Sequence, residues 1–241
     1  MQDAVARLRH LGGRELLQPL IEDHFKNRIA LVSSFGTEAV VLLHMVASIQ
    51  PATPVIFLDS GKLFPETDFY RRKVEKILGL SDVRIVQPLE SDISDHDPLG
   101  TLHGSDPDFC CHIRKSRPLV AALSGFGAWI TGRKRYHGGD RNDLPTMEWV
   151  DGRLKIDPLA HFSAQEIDSY IALHELPRHP LSAFGYSSVG CIPCTAKNND
   201  FADPRAGRWA GKDKTECGIH WSANGRLIRI ATPQPFDLGG C

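Results

Sequence analysis

The chain has 241 residues, 41% hydrophobic and 24% charged, with 28 Lys and Arg against 29 Asp and Glu for a net charge of −1. That length supports one large domain whose core needs no disulfides, and the near-neutral balance excludes a global field for nucleic acid or an anionic membrane. No stretch approaches the roughly 20 apolar residues that span a bilayer. The opening MQDAVARLRHLGGRELL lacks the apolar core of a secretory signal, so the expected setting is the cytoplasm, where six cysteines stay reduced.

Residues 3–25 suggest two short helices broken at Gly12-Gly13, and 28–34 form an apolar run consistent with a buried strand. After a turn at Phe35-Gly36, a helical stretch runs from Thr37 through Ala47. A second buried strand, 54–59, is closed by Ser60-Gly61, and the next helix starts near Pro65 and ends at Gly79. Strands follow at 83–86 and 128–131, the latter preceded by a helix over 113–123. Ser163 and Glu166 make a capping box for a helix over 164–174 with an Ile167, Tyr170, Ile171 stripe. From Pro177 the texture turns to loops, and 202–241 reads as a tail that packs loosely or moves. Strand–helix alternation implies an α/β fold, a doubly wound, mostly parallel sheet covered on both faces. Ligands of such sheets bind outside the carboxyl ends of the strands.

The turn Ser33-Ser34-Phe35-Gly36-Thr37-Glu38 joins a strand to a helix N-terminus, where backbone N–H groups and hydroxyls can surround an anion. It lacks the Walker A pattern. A second loop, Asp59-Ser60-Gly61 after Leu58, leaves a strand on the same edge.

Cys110 and Cys111 are adjacent, and Cys191 and Cys194 form a C-x-x-C in a Gly/Pro-rich loop. A vicinal disulfide strains the intervening peptide, whereas four thiolates suit tetrahedral zinc or an iron–sulfur cluster. Spacing leaves both open, the vicinal pair pointing toward a cluster. Cys217 stands apart, with Lys214 and His220 near enough in sequence to favour its thiolate; alone, it also reads as an incidental exposed thiol. Cys241 reads as incidental, an interchain or resolving role being the lesser alternative.

Basic groups cluster at Arg114-Lys115, at Arg133-Lys134-Arg135 and at Arg205 with Arg208 before Trp209. The middle run reads as solvated surface charge. Lys115 follows Cys111 by four residues on a predicted helix, a spacing that turns its charge toward the cysteine site.

Taken together, SSFGTEAVVLL, FLDSGKLFPET, CCHIRK, GYSSVGCIPCT, RAGRW and KTECGIH, in that order over almost the whole chain, resemble the assimilatory adenylyl-sulfate reductases and their phosphoadenylyl-sulfate relatives. The resemblance implies a PP-loop-like nucleotide-binding domain over 1–201, carrying one [4Fe–4S] cluster on Cys110, Cys111, Cys191 and Cys194. Residues 202–241 would be a mobile C-terminal segment bearing the nucleophile Cys217, with Lys115 and His220 beside the chemistry. Ser33, Ser34, Phe35, Gly36, Thr37, Asp59, Ser60, Gly61, Arg135, Arg205 and Arg208 would hold the adenylyl sulfate. The implied reductant is a separate thioredoxin, since the chain has no room for a fused one; a homo-oligomer stays open.

The chain departs from the family where relatives carry G-x-R-R-x-Q-S: it reads Gly132-Arg133-Lys134-Arg135-Tyr136-His137-Gly138. The nearest rival keeps the reaction and changes the substrate to the 3′-phosphorylated nucleotide. Rivals from other classes are an ATP-using PP-loop adenylating enzyme with structural zinc and a non-catalytic nucleotide-binding regulator.

Overall fold

The computed structural model describes residues 5–198, 200, 203–212 and 214–217. Helix α1 (Gly13–Pro19) continues into a wide π-helical turn at Leu20–His24 and leads to β1 (Ile29–Ser33). Then come α2 (Ala39–Ile49), β2 (Val55–Leu58), α3 (Pro65–Leu78) and β3 (Val83–Val86). Short helices α4 (Glu90–His96), α5 (Leu102–Ser105) and α6 (Pro107–Cys111) follow, and α6 passes through a π turn at His112–Ser116 into α7 (Arg117–Ala122). The chain closes its sheet with β4 (Ala128–Ile130), β5 (Met147–Val150) and β6 (Arg153–Ile156), then forms α8 (Ala164–Leu173).

The strand order is β3-β2-β1-β4-β6-β5, parallel except where β5 meets β6. In β2 every residue is buried, as a strand covered on both faces requires. Side-chain alternation sends Leu31, Phe57 and Ile130 into the larger core and Ala30, Ile56 and Trp129 into a smaller one beneath α7. Helix α2 buries Val40 to Leu43 and Met45 to Ala47, nearly its whole circumference, so it lies within the larger core. Each such Leu, Ile or Phe contributes roughly 1.5–3 kcal/mol.

The chain leaves β1 toward β2 and β3, then returns to its other side at β4. That reversal separates the loops at the carboxyl ends of β1 and β4 and opens a crevice between them.

The expected strands and the 164–174 helix are present to within one or two residues, and α8 carries both bonds of its capping box. The β5–β6 hairpin was not expected. Asp151 (φ 47°) and Gly152 (φ 77°) both adopt left-handed backbone, the two-residue turn that matches strand twist and favours Asp-Gly. Of the segment expected to pack loosely, residues 203–212 and 214–217 are described, and there Trp209 and Cys217 are 3% and 6% exposed. One tryptophan and a set of polar contacts anchor these residues, which apolar periodicity does not register; 218–241 lie outside the described residues. Among the described residues no helix is long and apolar enough to cross a membrane.

Candidate active site

Two cavities meet at the carboxyl edge of the sheet. The larger is a cleft walled by the loop after β1, by residues 131–134 after β4 and by the 187–190 loop, with Lys115, Arg205, Arg208 and Cys217 at one end. Ser33, Ser34, Gly36 and Thr37 line it, as the strand–turn–helix reading expects. Phe35 does not: its ring packs edge-on against Phe57 at 5.4 Å in the core, which anchors the loop. Ser33 Oγ accepts from Phe35 N (3.1 Å), and Thr37 Oγ1 donates to the Ser187 carbonyl (2.9 Å), tying two walls together.

The loop after β2 divides differently. Leu58 lines the cleft, but Ser60 is fully buried with its Oγ 3.1 Å from Cys191 Sγ. Asp59 is engaged by Gly61 N and Gln87 Nε2 (2.9 and 3.0 Å), and neither Asp59 nor Gly61 lines either cavity.

After β4, Arg133 and Lys134 are buried and line the cleft, correcting the reading of this run as solvated charge. Arg133 is held from behind by Asp157 (2.6 Å) and Glu148 (3.0 Å), and Lys155 also reaches Glu148 (2.9 Å). Arg135 turns away and donates through Nε to the Leu144 carbonyl (2.9 Å), outside the cleft lining.

Glu38, Lys134, His137 and Arg141 form a polar wall; the sequence reading named the first three separately, in the turn after β1 and the run after β4, and did not group them. The Glu38 carboxylate accepts from Tyr136 OH (2.5 Å), Lys134 Nζ (2.7 Å) and His137 Nε2 (3.1 Å). Burial opposes its charge, yet Lys134 and the His137 bond hold its pKa far below the carboxylate range. Burial pushes the His137 pKa down to about 4 despite the Glu38 contact, so near neutral pH the ring is uncharged. Its Nε2–H then donates to Glu38 while Nδ1 accepts from Arg141 Nη1 (3.0 Å). The available signal was position: a basic run directly after the strand at the topological reversal faces the ligand.

Lys115 sits on the π turn after α6, a feature frequent at functional sites. Its Nζ lies 3.4 Å from Cys217 Sγ, and Cys111 Sγ lies 3.7 Å from the same sulfur. The hydrogen bond shared with Cys111 lowers the Cys217 pKa most; burial opposes it, and the cations Lys115 and Arg208 lower it further. The same bond and burial raise Cys111. Lys115 and Arg208 thus favour the thiolate form of Cys217.

Arg208 stacks over Trp209 at 4.5 Å, donates to the Cys194 carbonyl (3.2 Å) and lies against Gly190, where any Cβ would collide with its guanidinium. Arg205 covers the same indole at 5.5 Å. Burial first, then repulsion from Arg141, pulls Arg205 down to about 10, so it remains charged at neutral pH.

The second, smaller cavity is lined by Cys110, Cys111, Cys191 and Cys194 together, with Lys115, Arg114, Arg208 and Trp209 around them. All four thiols are buried, and among the described residues every cysteine is free of disulfides. The backbone bridge Leu63↔Cys191 and the N–H of Ile192 donating to Lys62 O (2.8 Å) carry the C-x-x-C loop to the vicinal pair. Among the described residues no group of three or more His, Cys, Asp or Glu is arranged to bind a metal ion. Four soft donors facing one enclosed cavity beside cationic groups nonetheless match the donor chemistry of a thiolate-held iron–sulfur cluster. His220 and Cys241 lie outside the described residues.

Sequence comparison with known proteins points to one family. The family described as phosphoadenosine phosphosulfate reductase domain matches residues 28–197. A Mesorhizobium japonicum protein named adenosine 5′-phosphosulfate reductase is 45% identical over 213 residues, 88% of this chain and 84% of its own. A Gloeobacter violaceus protein named phosphoadenosine 5′-phosphosulfate reductase is 39% identical over 201 residues, 81% of this chain and 83% of its own. The crystal structure of phosphoadenylyl-sulfate reductase from Candida auris, a phosphate complex, superposes with a TM-score of 0.67 at 25% identity, covering 81% of this chain and 98% of its own.

Proposed function

The chain belongs to the phosphoadenosine phosphosulfate reductase family, and on that premise we propose that it reduces adenylyl sulfate to sulfite and AMP at Cys217, with thioredoxin as the separate dithiol reductant. It is an oxidoreductase acting on an adenylyl sulfate in sulfate reduction. The observation that carries the finer reading is the Cys217 sulfur, buried at the cationic end of the cleft with Lys115 Nζ at 3.4 Å.

The nucleotide enters with its anionic end toward Lys115, Arg205 and Arg208 and its loop contacts on Ser33, Ser34, Gly36 and Thr37. The Cys217 thiolate attacks the sulfonate sulfur. An S–S bond forms, the S–O bond to the phosphate breaks, and its electron pair leaves on AMP. Lys115 and the two arginines offset the charge that builds on the phosphate and sulfonyl oxygens. Holding the two reactants in one water-poor site removes most of the entropic cost of the encounter. The enzyme then carries S-sulfocysteine.

A thiolate of thioredoxin attacks the Cys217 sulfur, and sulfite departs with the S–S electron pair. The second thioredoxin thiol resolves the mixed disulfide, returning Cys217 as a thiolate and leaving thioredoxin oxidised. Two electrons pass from the dithiol to the sulfonate sulfur. His220 would serve as an acid–base partner to Cys217, on the strength of the family resemblance.

Cys110, Cys111, Cys191 and Cys194 would hold one [4Fe–4S] cluster. Bound there, the cluster would tie the α6 pair to the C-x-x-C loop and add its charge beside Lys115.

The reading is tested by sulfite release from adenylyl sulfate and from its 3′-phosphorylated form with thioredoxin, on protein purified anaerobically and assayed for iron and sulfide. Faster turnover of the unphosphorylated nucleotide by a brown, iron-loaded protein is expected. Preference for the phosphorylated nucleotide overturns the substrate; zinc in place of iron overturns the cofactor.

A further inference from the structure

Glu216 stands in the cleft where an anion belongs. Its carboxylate accepts from Arg141 through Nε and through Nη2 (2.8 Å), and Arg205 Nη2 lies 3.5 Å away. The three side chains are 6%, 14% and 16% exposed for Arg141, Arg205 and Glu216, and all line the cleft. Two guanidinium groups that converge in a partly buried space repel one another unless an anion lies between them. Here the chain supplies that anion, on the residue directly before Cys217.

The flanking residues are stitched down on both sides of Glu216. Thr215 Oγ1 donates to Asp140 (3.0 Å) and the Thr215 carbonyl accepts from Arg205 (3.0 Å) on one side. Lys214 meets Asp108, and Lys212 Nζ donates to the His103 carbonyl (2.5 Å), on the other. On the Arg141 side the contacts continue through His137 to Glu38, in the loop after β1.

We propose that Glu216 is an internal anion that occupies the Arg141–Arg205 pair in the absence of substrate, so that the anion of the incoming nucleotide displaces it and frees the Cys217 segment in one exchange. The inference rests on the reading that the cleft receives adenylyl sulfate, and it makes Glu216 a positioning residue. Removing its charge then does in advance what the nucleotide does: the freed arginines bind nucleotide more tightly, and the Cys217 segment is released before nucleotide arrives. A salt bridge that only held the fold together would weaken nucleotide binding when broken.

The experiment uses the cluster-loaded protein, with AMP as a probe that cannot turn over. Calorimetry with AMP, sulfite kinetics, and mass-spectrometric rates of Cys217 alkylation are compared for wild type, Glu216→Gln and Glu216→Asp. Glu216→Gln is expected to bind AMP roughly three- to tenfold more tightly, because self-occupancy taxes the apparent affinity. Glu216→Asp, which keeps the charge, stays near wild type in affinity. AMP should speed Cys217 alkylation in the wild type, and Glu216→Gln should alkylate fast without it. If the wild type binds AMP but Glu216→Gln binds it no more tightly, the exchange is wrong and the function stands. An alkylation rate in the wild type that bound AMP leaves unchanged has the same meaning and needs no variant. A wild type that binds neither AMP nor adenylyl sulfate overturns the reading of the cleft, and the exchange with it.

Discussion

The cleft and the cysteine cavity share a wall of Lys115, Arg208 and Trp209, yet they are built on different principles. The cleft grows from the sheet: the loops after β1 and β4 diverge because strand order reverses between them. The cysteine cavity has no such framework. It joins α6, the loop after β2 and the C-x-x-C loop, segments far apart in sequence that meet through one backbone bridge, a few polar contacts and a shared cavity lined by the thiols. The first should therefore hold its shape without help, and the second should depend on what the thiols bind. Cys217, on the cleft side of the wall, should affect chemistry without affecting either framework.

The largest expected effect tests that last point. Cys217→Ser should lower thioredoxin-dependent sulfite release by at least about 10³-fold, in the range seen when a nucleophile is removed. Iron content and AMP affinity should stay at wild-type levels, read by iron analysis and calorimetry. An active variant would move the nucleophile elsewhere; a variant that loses its iron would erase the distinction between the two sites.

Cys194→Ala makes the opposite cut. It should strip iron and sulfide and abolish the brown colour of a thiolate-bound cluster. The far-ultraviolet signal of the sheet should survive, because Cys194 reaches neither β1 nor β4. Global unfolding of this variant would mean that the cluster supports the whole domain.

These two sites were unequally legible in the sequence. The strand runs at 28–34 and 54–59 and the turn at Phe35-Gly36 were read directly, since burial on both faces leaves continuous apolar residues, but the crevice between the loops after β1 and β4 needed the strand order. The four cysteines were identifiable by type, and their convergence on one cavity required the fold. What periodicity could not supply was side-chain direction. Ser60 and Asp59 are neighbours, but one faces the cysteines and the other faces neither cavity. Arg133 and Arg135 are two residues apart in a basic run; one enters the cleft and the other bonds a carbonyl behind it. A polar wall such as Glu38, Lys134 and His137 leaves no periodic pattern, because Glu38 comes from the loop after β1 and the other two from the loop after β4.

That wall gives the cleft a pH dependence that the cysteine cavity does not share. The His137 pKa falls to about 4 in the folded chain from an ordinary 6.5, by burial first. Between those values the unfolded chain binds the proton and the folded chain does not, so stability rises with pH. The contribution is fully present above about pH 6.5 and is lost as pH falls toward 4, at most about 3 kcal/mol for this ring. Buried His179, also pushed to about 4, adds a slope of the same sign. Glu38, with its pKa lowered, acts in the same direction at more acid pH: its stabilisation is present above the ordinary carboxylate value and lost as pH drops through the folded one. His137→Gln should flatten the denaturation-midpoint curve between pH 6.5 and 4 in part, leaving the shares of His179, His44 and His112, whose pKa values burial also lowers. An unchanged slope would mean that His137 titrates normally and that its bond to Glu38 is not the neutral one described.

The smallest expected effect lies outside both sites and fixes the scale for the others. Gly152 closes the β5–β6 hairpin at φ 77°, and a Cβ placed there would meet nothing within 4 Å. The cost of Gly152→Ala is therefore the left-handed backbone alone, about 1–2 kcal/mol, or roughly 2–4 °C in Tm for each kcal/mol in a chain of this size. Yet β6 pairs with β4 and is followed by Asp157, which holds Arg133 at the cleft. Should the loss stay in Tm with kcat/KM unchanged, the hairpin only covers the sheet edge. A fall in kcat/KM without loss of iron would instead show that the register of β6 places Arg133, making this end of the sheet part of the cleft's framework while the cysteine cavity stays independent of it.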